Sequence, residues 1–198
     1  MERLDIDLYL ACMEKEDKTE SSEEKLKQKA MEKIEKLHQE LQKIKELNME
    51  RTVFFGNLFS ICLPKNLLLN EITEEDVILL RSQSEHMALV IKAVDCKKPI
   101  DLEHVKKNYQ EQMTMSKQQT WFDIDGSKVV DGVKIFYFTA IHSMPEQNQI
   151  NYILLFCLDN KTVILDFNMR EESYSFWKNS IAVMMKTIQK AGGDFDEK

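Results

Sequence analysis

The chain has 198 residues, enough for one domain with a sizeable core and an appendage. Its 34 acidic and 27 basic residues give a formal net charge of −7, which argues against a protein that binds the phosphate backbone of nucleic acids. The longest apolar run, residues 152–158, is too short to cross a bilayer, and the first residues lack the basic start and apolar stretch of a secretory signal. We therefore expect a soluble, cytoplasmic protein that binds neither nucleic acid nor a membrane.

Residues 4–12 alternate strictly between apolar and polar side chains, which predicts a half-buried strand. A helix is then predicted over 22–48, because Ser21 and Glu24 have the spacing of a capping box. Its apolar residues recur every three or four positions in a narrow stripe, nearer to a coiled-coil seam than to the wide face of a core helix. The stripe either packs on the protein's own sheet or forms an interface with a partner helix or a second copy. The candidate interface residues are Ala30, Ile34, Leu37, Leu41 and Ile44.

From residue 53 onward the pattern changes to short apolar strands. Pro64 ends a predicted strand over Val53–Leu63, and two more strands are predicted over Val77–Arg81 and Met87–Val94. A helix with one apolar face follows Pro99, with Asp101 as its N-cap. The residues of that face are Leu102, Val105, Tyr109 and Met113.

Four further strands are predicted before a last helix. They cover Trp121–Asp125, Gly132–Ile141, Ile150–Leu158 and Thr162–Met169. Their predicted connections are Asp125-Gly126, Asp131-Gly132, Pro145–Gln149 and Asp159–Lys161. The closing amphipathic helix is predicted over 173–190 and ends at Gly192-Gly193.

Tight turns between successive strands indicate an antiparallel sheet, and helices set apart from the strand runs indicate an α+β fold. The predicted architecture is an antiparallel sheet of about six to eight strands covered by helices, preceded by a long charged N-terminal helix. We divide the chain into an appendage over 1–52 and an α+β domain over 53–198.

Three features of this order resemble the PsbP-like family over residues 53–190. They are the strand Phe59–Pro64 that ends in proline, the meander over 121–169, and the closing helix with Phe176-Trp177 and Ile181. That family includes the extrinsic oxygen-evolution protein of photosystems, a Ran-binding nuclear import factor and many small bacterial proteins. The resemblance implies an antiparallel sheet covered by helices and a role in binding or assembly rather than catalysis. It places no functional residue on this chain, and the predicted strand 4–12 and helix 22–48 depart from the family's pattern.

No motif in the sequence assigns a catalytic, cofactor or metal site. The four histidines have no metal-ligand spacing, the five glycines form no phosphate loop, and a GxSxG motif is missing. His142 is the best candidate for a catalytic base, since it follows a strong strand beside Ser143. Asp123 and Asp125 are expected to share one side of a strand, with Asp166 able to join them; a cation site there competes with a simple solvated face.

The four cysteines are widely spaced and form no CxxC pair. They are Cys12, Cys62, Cys96 and Cys157. Small buried side chains in a reducing compartment explain them best, with one structural disulfide as the alternative. Cys96 precedes Lys97-Lys98, whose charges would lower a thiol pKa, but a cysteine beside solvated lysines is the simpler reading.

Three functions are compatible with the sequence. The first is a non-enzymatic interaction or assembly protein that binds a protein partner or itself through the long helix or a sheet edge and needs no cofactor. The second is a binder of a small apolar ligand, in a pocket between the sheet and the last helix lined by Phe136, Phe156 and Trp177. The third is a hydrolase built on His142.

Overall fold

The computed structural model describes residues 27–28, 31–32, 47–68, 71–74, 76–82, 86–96, 98–115 and 119–191. The chain divides into two units, Met1–Glu46 and Leu47–Lys198. In the first unit the described residues, Lys27, Gln28, Met31 and Glu32, are helical and exposed. The predicted strand 4–12 and most of helix 22–48 lie outside the described residues, as do the stripe residues Ala30, Ile34, Leu37, Leu41 and Ile44. The last two residues of the predicted helix, Leu47 and Asn48, are described and are not helical.

The second unit is built mainly from antiparallel strands. Its elements are β1 (Met49–Phe54), β2 (Phe59–Pro64), α1 (Lys65–Leu68), β3 (Glu71–Glu74), β4 (Val77–Ser82), β5 (Met87–Asp95), α2 (Leu102–Met115), β6 (Thr120–Val130), β7 (Val133–His142), β8 (Gln149–Leu158), β9 (Lys161–Arg170), α3 (Tyr174–Met185) and β10 (Gln189–Lys190). A 3-10 turn over Glu171–Ser173 leads into α3.

The strands form two sheets. Seven strands pair in the order β3-β4-β5-β9-β8-β7-β6, and three pair in the order β1-β2-β10. Every pairing is antiparallel. The predicted α+β class and the antiparallel sheet of six to eight strands are therefore confirmed, whereas the separate three-stranded sheet was not expected.

The predicted single strand Val53–Leu63 is wrong, because this segment is a hairpin. β1 and β2 pair from Met49↔Pro64 to Phe54↔Phe59, around a turn of four residues. Phe55, Gly56 and Asn57 all have positive φ angles, of 51°, 60° and 71°. The boundary placed between residues 52 and 53 consequently falls inside β1, while the chain divides after Glu46.

The predicted turn at Asp125-Gly126 is also wrong. β6 continues through both residues to Val130, and the chain reverses at Asp131-Gly132, as predicted there. Pairing with β7 shifts register between Phe122 and Asp125, which is a β-bulge. Glycine at 126 is needed for space, since a β-carbon there would stand 2.7 Å from Tyr137 Oη.

The last helix is shorter than the predicted 173–190. It ends at Met185, and β10 then pairs with β2 through Gln189↔Ser60. Thr187 holds this return in place: its Oγ1 accepts a hydrogen bond from the Cys62 amide at 2.9 Å, and its carbonyl accepts one from Arg51 at 3.2 Å. The short elements α1 and β3 were not predicted either.

The two faces of the seven-stranded sheet are covered differently. One face, which we call the main core face, packs against the three-stranded sheet and α3 and buries Phe59, Phe156, Phe167 and Trp177. The opposite face, the α2 face, carries a smaller apolar cluster of Phe138, Ala140, Ile153 and Leu155, against which α2 packs.

This division contradicts the expected ligand pocket beneath the last helix. Phe136 packs against the α2-face cluster, whereas Phe156 and Trp177 are buried in the main core on the other face of the sheet. The three side chains therefore cannot line one cavity. Within the described residues, no helix has both the length and the apolar composition needed to cross a bilayer.

Candidate functional site

Polar side chains interrupt the apolar layer on the α2 face. Register places Asn168 opposite Asn151, with Asp166 one step along β9 on the same face. Gln149 and His142 lie opposite each other one step further along β8 and β7. Asn151 and His142 are buried, with 6% and 3% of their surfaces exposed.

Hydrogen bonds join four of these side chains, Gln149, Asn151, Asp166 and Asn168, into one network. Asn151 Nδ2 donates to Asp166 Oδ1 at 2.8 Å and to Asn168 Oδ1 at 2.7 Å. Asn168 Nδ2 donates to the Asp166 carbonyl at 3.1 Å, and Gln149 Nε2 donates to Asn168 Oδ1 at 3.4 Å. No buried side-chain nitrogen or oxygen in the described part of the chain lacks a partner. Satisfied networks of this kind hold their members in one arrangement.

Asp166 is the titratable member of the network. Burial raises the pKa of its carboxyl to about 6, against the opposing effect of the hydrogen bonds from Asn151 and Asn168. The carboxyl is therefore more easily protonated in the fold than in water.

His142 is held by hydrogen bonds at both ring nitrogens. Nε2 lies 3.0 Å from the Tyr109 hydroxyl and Nδ1 lies 2.8 Å from Thr120 Oγ1. Burial lowers the pKa of the imidazole, so the ring is neutral at physiological pH. A neutral ring with one N–H and one lone pair is fully satisfied by two hydroxyls. The histidine that the sequence singled out thus serves to dock α2 onto β7 and β6.

Two further contacts fix α2 on the sheet. Asp101 caps the helix, with its Oδ1 3.3 Å from the His104 amide, as predicted. Lys106 pairs with Asp125 and lies 5.2 Å from the centre of the Phe122 ring.

The expected side-by-side placement of Asp123 and Asp125 is wrong, because the bulge in β6 turns them to opposite faces. Asp125 bonds Lys106 of α2, whereas Asp123 accepts a hydrogen bond from Tyr174 of α3 at 3.2 Å. Among the described residues no group of three His, Cys, Asp or Glu side chains is arranged to hold a metal ion.

A groove opens at one end of the α2 face, beyond the network. It is bounded by the ends of β4, β5, β8 and β9 and by the loop 143–148, and it encloses about 650 Å³. We call it the end groove. Its lining includes Arg81, Arg170, Ala88, Asn168, Met144 and Pro145. Asn148 Nδ2 donates to Glu171 at 3.0 Å, which fixes the loop that forms one wall.

A smaller cavity of about 290 Å³ lies under α2. It is lined by Val90 and Asp166 of the sheet, and the end groove by Ala88 and Asn168. These are successive residues of the same face on β5 and β9, so the two spaces are neighbours along the sheet.

Sequence reasoning named His142 and Asp166 but missed their partners Tyr109, Thr120 and Asn151 as a site. One signal was available in the sequence. Asn151 lies in the otherwise apolar strand 150–158, and Asn168 lies in strand 162–169, where apolar and polar residues alternate. A buried amide requires a partner, so such residues mark polar networks. The sequence did not indicate a shared site for Arg81 and Arg170, because no local pattern predicts that the ends of β4 and β9 lie near each other.

No family model matches this chain, and no curated protein matches its sequence. Solved structures do match it. The solution structure of cyanobacterial PsbP (CyanoP) from Synechocystis sp. PCC 6803 superposes with a TM-score of 0.60 at 10% sequence identity, over 73% of this chain and 93% of that one. The fold is PsbP-like.

Two other solved structures superpose less closely. A protein from Bacteroides thetaiotaomicron is 10% identical, with 73% of this chain and 49% of that chain covered and a TM-score of 0.49. LpqN from Mycobacterium tuberculosis, described as involved in cell envelope biogenesis, is 10% identical, with 75% and 95% covered and a TM-score of 0.44. At these identities the CyanoP likeness carries the PsbP-like fold alone.

Proposed function

We propose that this protein is a non-enzymatic interaction protein that binds an acidic segment of a partner protein in the end groove. The observation that carries the proposal is the lining of that groove, where Arg81 and Arg170 stand beside the apolar side chains of Ala88, Met144 and Pro145. Its volume of about 650 Å³ lies within the range of sites that bind compact ligands.

The charges of the groove favour an anionic occupant. The chain as a whole has a net charge of −7, so two guanidinium groups around one groove are a local exception. Arginine suits carboxylates because its planar fork donates two parallel hydrogen bonds. Glu146 also borders the groove, which limits the site to ligands whose negative charge lies toward the arginines.

Arg170 is accessible to a partner. Arg170 contacts Glu172 at 3.7 Å, and both side chains are more than half exposed, at 52% and 62%. An exposed pair at this distance contributes little stability. A partner carboxylate can therefore replace Glu172 at small cost.

The state of the polar network favours binding over catalysis. His142 and Asp166 have altered pKa values, which is common at active sites. Here, however, each is engaged by neighbours within the fold, and His142 has both ring nitrogens occupied. The network is better suited to support the groove floor through Asn168 and Gln149 than to move protons to a substrate.

The test is a titration of the full chain with a fluorescein-labelled peptide of alternating glutamate and leucine, followed by anisotropy and by amide NMR shifts. We expect shifts centred on Ala88, Gln149 and Asn168, and an affinity that falls as salt rises. The double variant Arg81→Gln with Arg170→Gln should weaken binding at least about tenfold. The free energy of one hydrogen bond to a charged group is already enough to change the dissociation constant by about that factor.

The matched control is Lys107→Gln with Lys128→Gln, which removes the same charge from exposed sites away from the groove. Equal weakening by both pairs would mean non-specific attraction and would overturn the proposal. Citrate serves as a small anion in a parallel titration. If citrate binds at the groove more tightly than the peptide, the ligand is a small molecule rather than a protein segment.

A further inference from the structure

Two cysteines that are 61 positions apart in the chain meet at the opposite end of the α2 face. Cys96 directly follows β5, and Cys157 lies on β8, with β9 between these strands. Their Sγ atoms are 3.1 Å apart, and both cysteines are free. Cys157 is exposed and Cys96 is partly exposed, so reagents in solution can reach the pair. We call Cys96 and Cys157 the thiol pair.

The two thiols have different environments. Hydrogen bonds from the Thr162 hydroxyl and from Cys157 lower the pKa of Cys96. Burial raises the pKa of Cys157, and the hydrogen bond with Cys96 adds to that effect. A thiol whose pKa is lowered next to one whose pKa is raised matches the roles of an attacking and a resolving cysteine.

We propose that the thiol pair is a reversible redox site that forms an intramolecular disulfide with a low-molecular-weight disulfide as oxidant. The Cys96 thiolate attacks one sulfur of the oxidant and expels one thiolate, leaving a mixed disulfide on Cys96. The Cys157 thiolate then attacks Cys96 Sγ and expels the second thiolate. The protein loses two electrons and two protons, and the oxidant becomes two thiols.

The position of the pair connects this chemistry to α2. Cys96 begins the segment that runs from β5 to Asp101, the N-cap of α2. Ile100, Leu102 and Val105 from this region pack on the α2-face cluster. A bond between Cys96 and Cys157 would tie the start of that segment to β8 across β9. Oxidation should therefore hold the N-terminal half of α2 more firmly on the sheet.

The test uses the full chain in buffers of defined oxidised-to-reduced glutathione ratio, quenched with an alkylating reagent. We expect two of the four cysteines to become protected, a mass loss of two hydrogens, a cross-linked peptide containing Cys96 and Cys157, and full reversal by dithiothreitol. The oxidised chain should also melt at a higher temperature, since the bond restricts the unfolded chain, and its α2 amides should exchange more slowly.

Single variants test the division of roles. Cys157→Ser should accumulate one glutathione on Cys96, because the resolving thiol is missing. Cys96→Ser should react much more slowly, and Cys62→Ser should behave like the parent. Glutathione adducts on the parent without an internal bond, or a bond that involves Cys62 or Cys12, would overturn the proposal. Unchanged exchange in α2 after oxidation would refute its coupling to the helix.

Discussion

The carboxyl group of Asp166 binds a proton more readily in the folded protein than in the unfolded chain. Its pKa is raised from 3.8 to about 6 by burial. Between these two values the unfolded chain has already lost the proton that the folded chain keeps, so the free energy of unfolding falls as pH rises through this window. The difference corresponds to a loss of up to about 3 kcal/mol above pH 6.

Asp166→Asn should remove this loss, because the amide oxygen can still accept the hydrogen bond from Asn151. Relative to the parent, the variant should gain stability steadily between pH 4 and pH 7, as measured by urea unfolding at each pH.

His142 has the opposite effect on stability. Its lowered pKa makes the free energy of unfolding fall as pH drops below about 6.5, and this dependence should remain in the Asp166→Asn variant. Asp131→Asn, at the exposed β6–β7 turn, is the control for the change from aspartate to asparagine itself. An Asp166→Asn penalty that is equal at pH 4 and pH 7 would refute the assignment.

Gly126 is a residue whose missing side chain matters. A β-carbon at this position would stand 2.7 Å from Tyr137 Oη and 2.9 Å from its Cζ. Tyr137 also stacks on Tyr152, with ring centres 6.3 Å apart, so its ring gives way only at a cost. Gly126→Ala should therefore destabilise the fold by about 1–3 kcal/mol, as overpacking does elsewhere.

A double-mutant cycle with Tyr137→Leu checks this cause. If the clash is responsible, Gly126→Ala should cost much less in the Tyr137→Leu background than in the parent, measured by the urea midpoint. Ser127→Ala, at the neighbouring exposed position, should be close to neutral. Equal penalties in both backgrounds would point instead to a backbone effect at the bulge.

At the scale of elements, the sequence predicted best where one periodicity runs uninterrupted. β7, β8 and β9 were expected within one residue of their observed bounds, and α2 was expected to begin after its cap Asp101, as it does. Their apolar residues follow a period of two or of about 3.6, and their ends are marked by Asp131-Gly132, Asp159-Asn160 and the Asp101 cap.

The wrong predictions lie where one local sequence pattern is compatible with two different secondary structures. The sequence does not predict a turn at Phe55-Gly56-Asn57, because apolar residues continue on both sides of the glycine. In the structure these three residues reverse the chain between β1 and β2. Asp125-Gly126 has the composition of a turn, but both residues pair regularly with β7, opposite Phe138 and Tyr137. The end of α3 was placed too late because Ile188 continues the helical spacing of Ile181, Met184 and Met185, although the helix ends at Met185.

The candidate site was predictable only in part. His142 was identified from its place at a strand end, but its role depends on Tyr109 and Thr120, which come from other elements. The end groove and the thiol pair depend on strand order, which brings β5, β9 and β8 side by side. Strand order is a tertiary property, and no local pattern in this sequence specifies it.

At the scale of the whole second unit, the unequal covering of the seven-stranded sheet explains where function can be located. The three-stranded sheet and α3 fill the main core face with large buried side chains. The α2 face is covered by a helix in which no residue is fully buried. Within the described part of the second unit, α2 leaves the end groove at one end of the face and the thiol pair at the other, with the polar network between them. A partner in the groove and a bond at the thiol pair would therefore act on the same face.

The predicted helix 22–48 adds a last expectation about assembly. Its stripe of Ala30, Ile34, Leu37, Leu41 and Ile44 has the three–four spacing of a helix seam, and burying such a seam contributes about 25 cal/mol per Å² of apolar surface. If the stripe is an assembly interface, Ile34→Asp with Leu41→Asp should leave the circular dichroism melt of the sheet unit unchanged and shift the mass from light scattering to that of a monomer. Gln28→Asp with Gln39→Asp adds the same charge outside the stripe and should preserve the oligomer. If the stripe variant unfolds, or the parent chain is already a stable monomer, the stripe belongs to the protein's own core and the helix binds no partner.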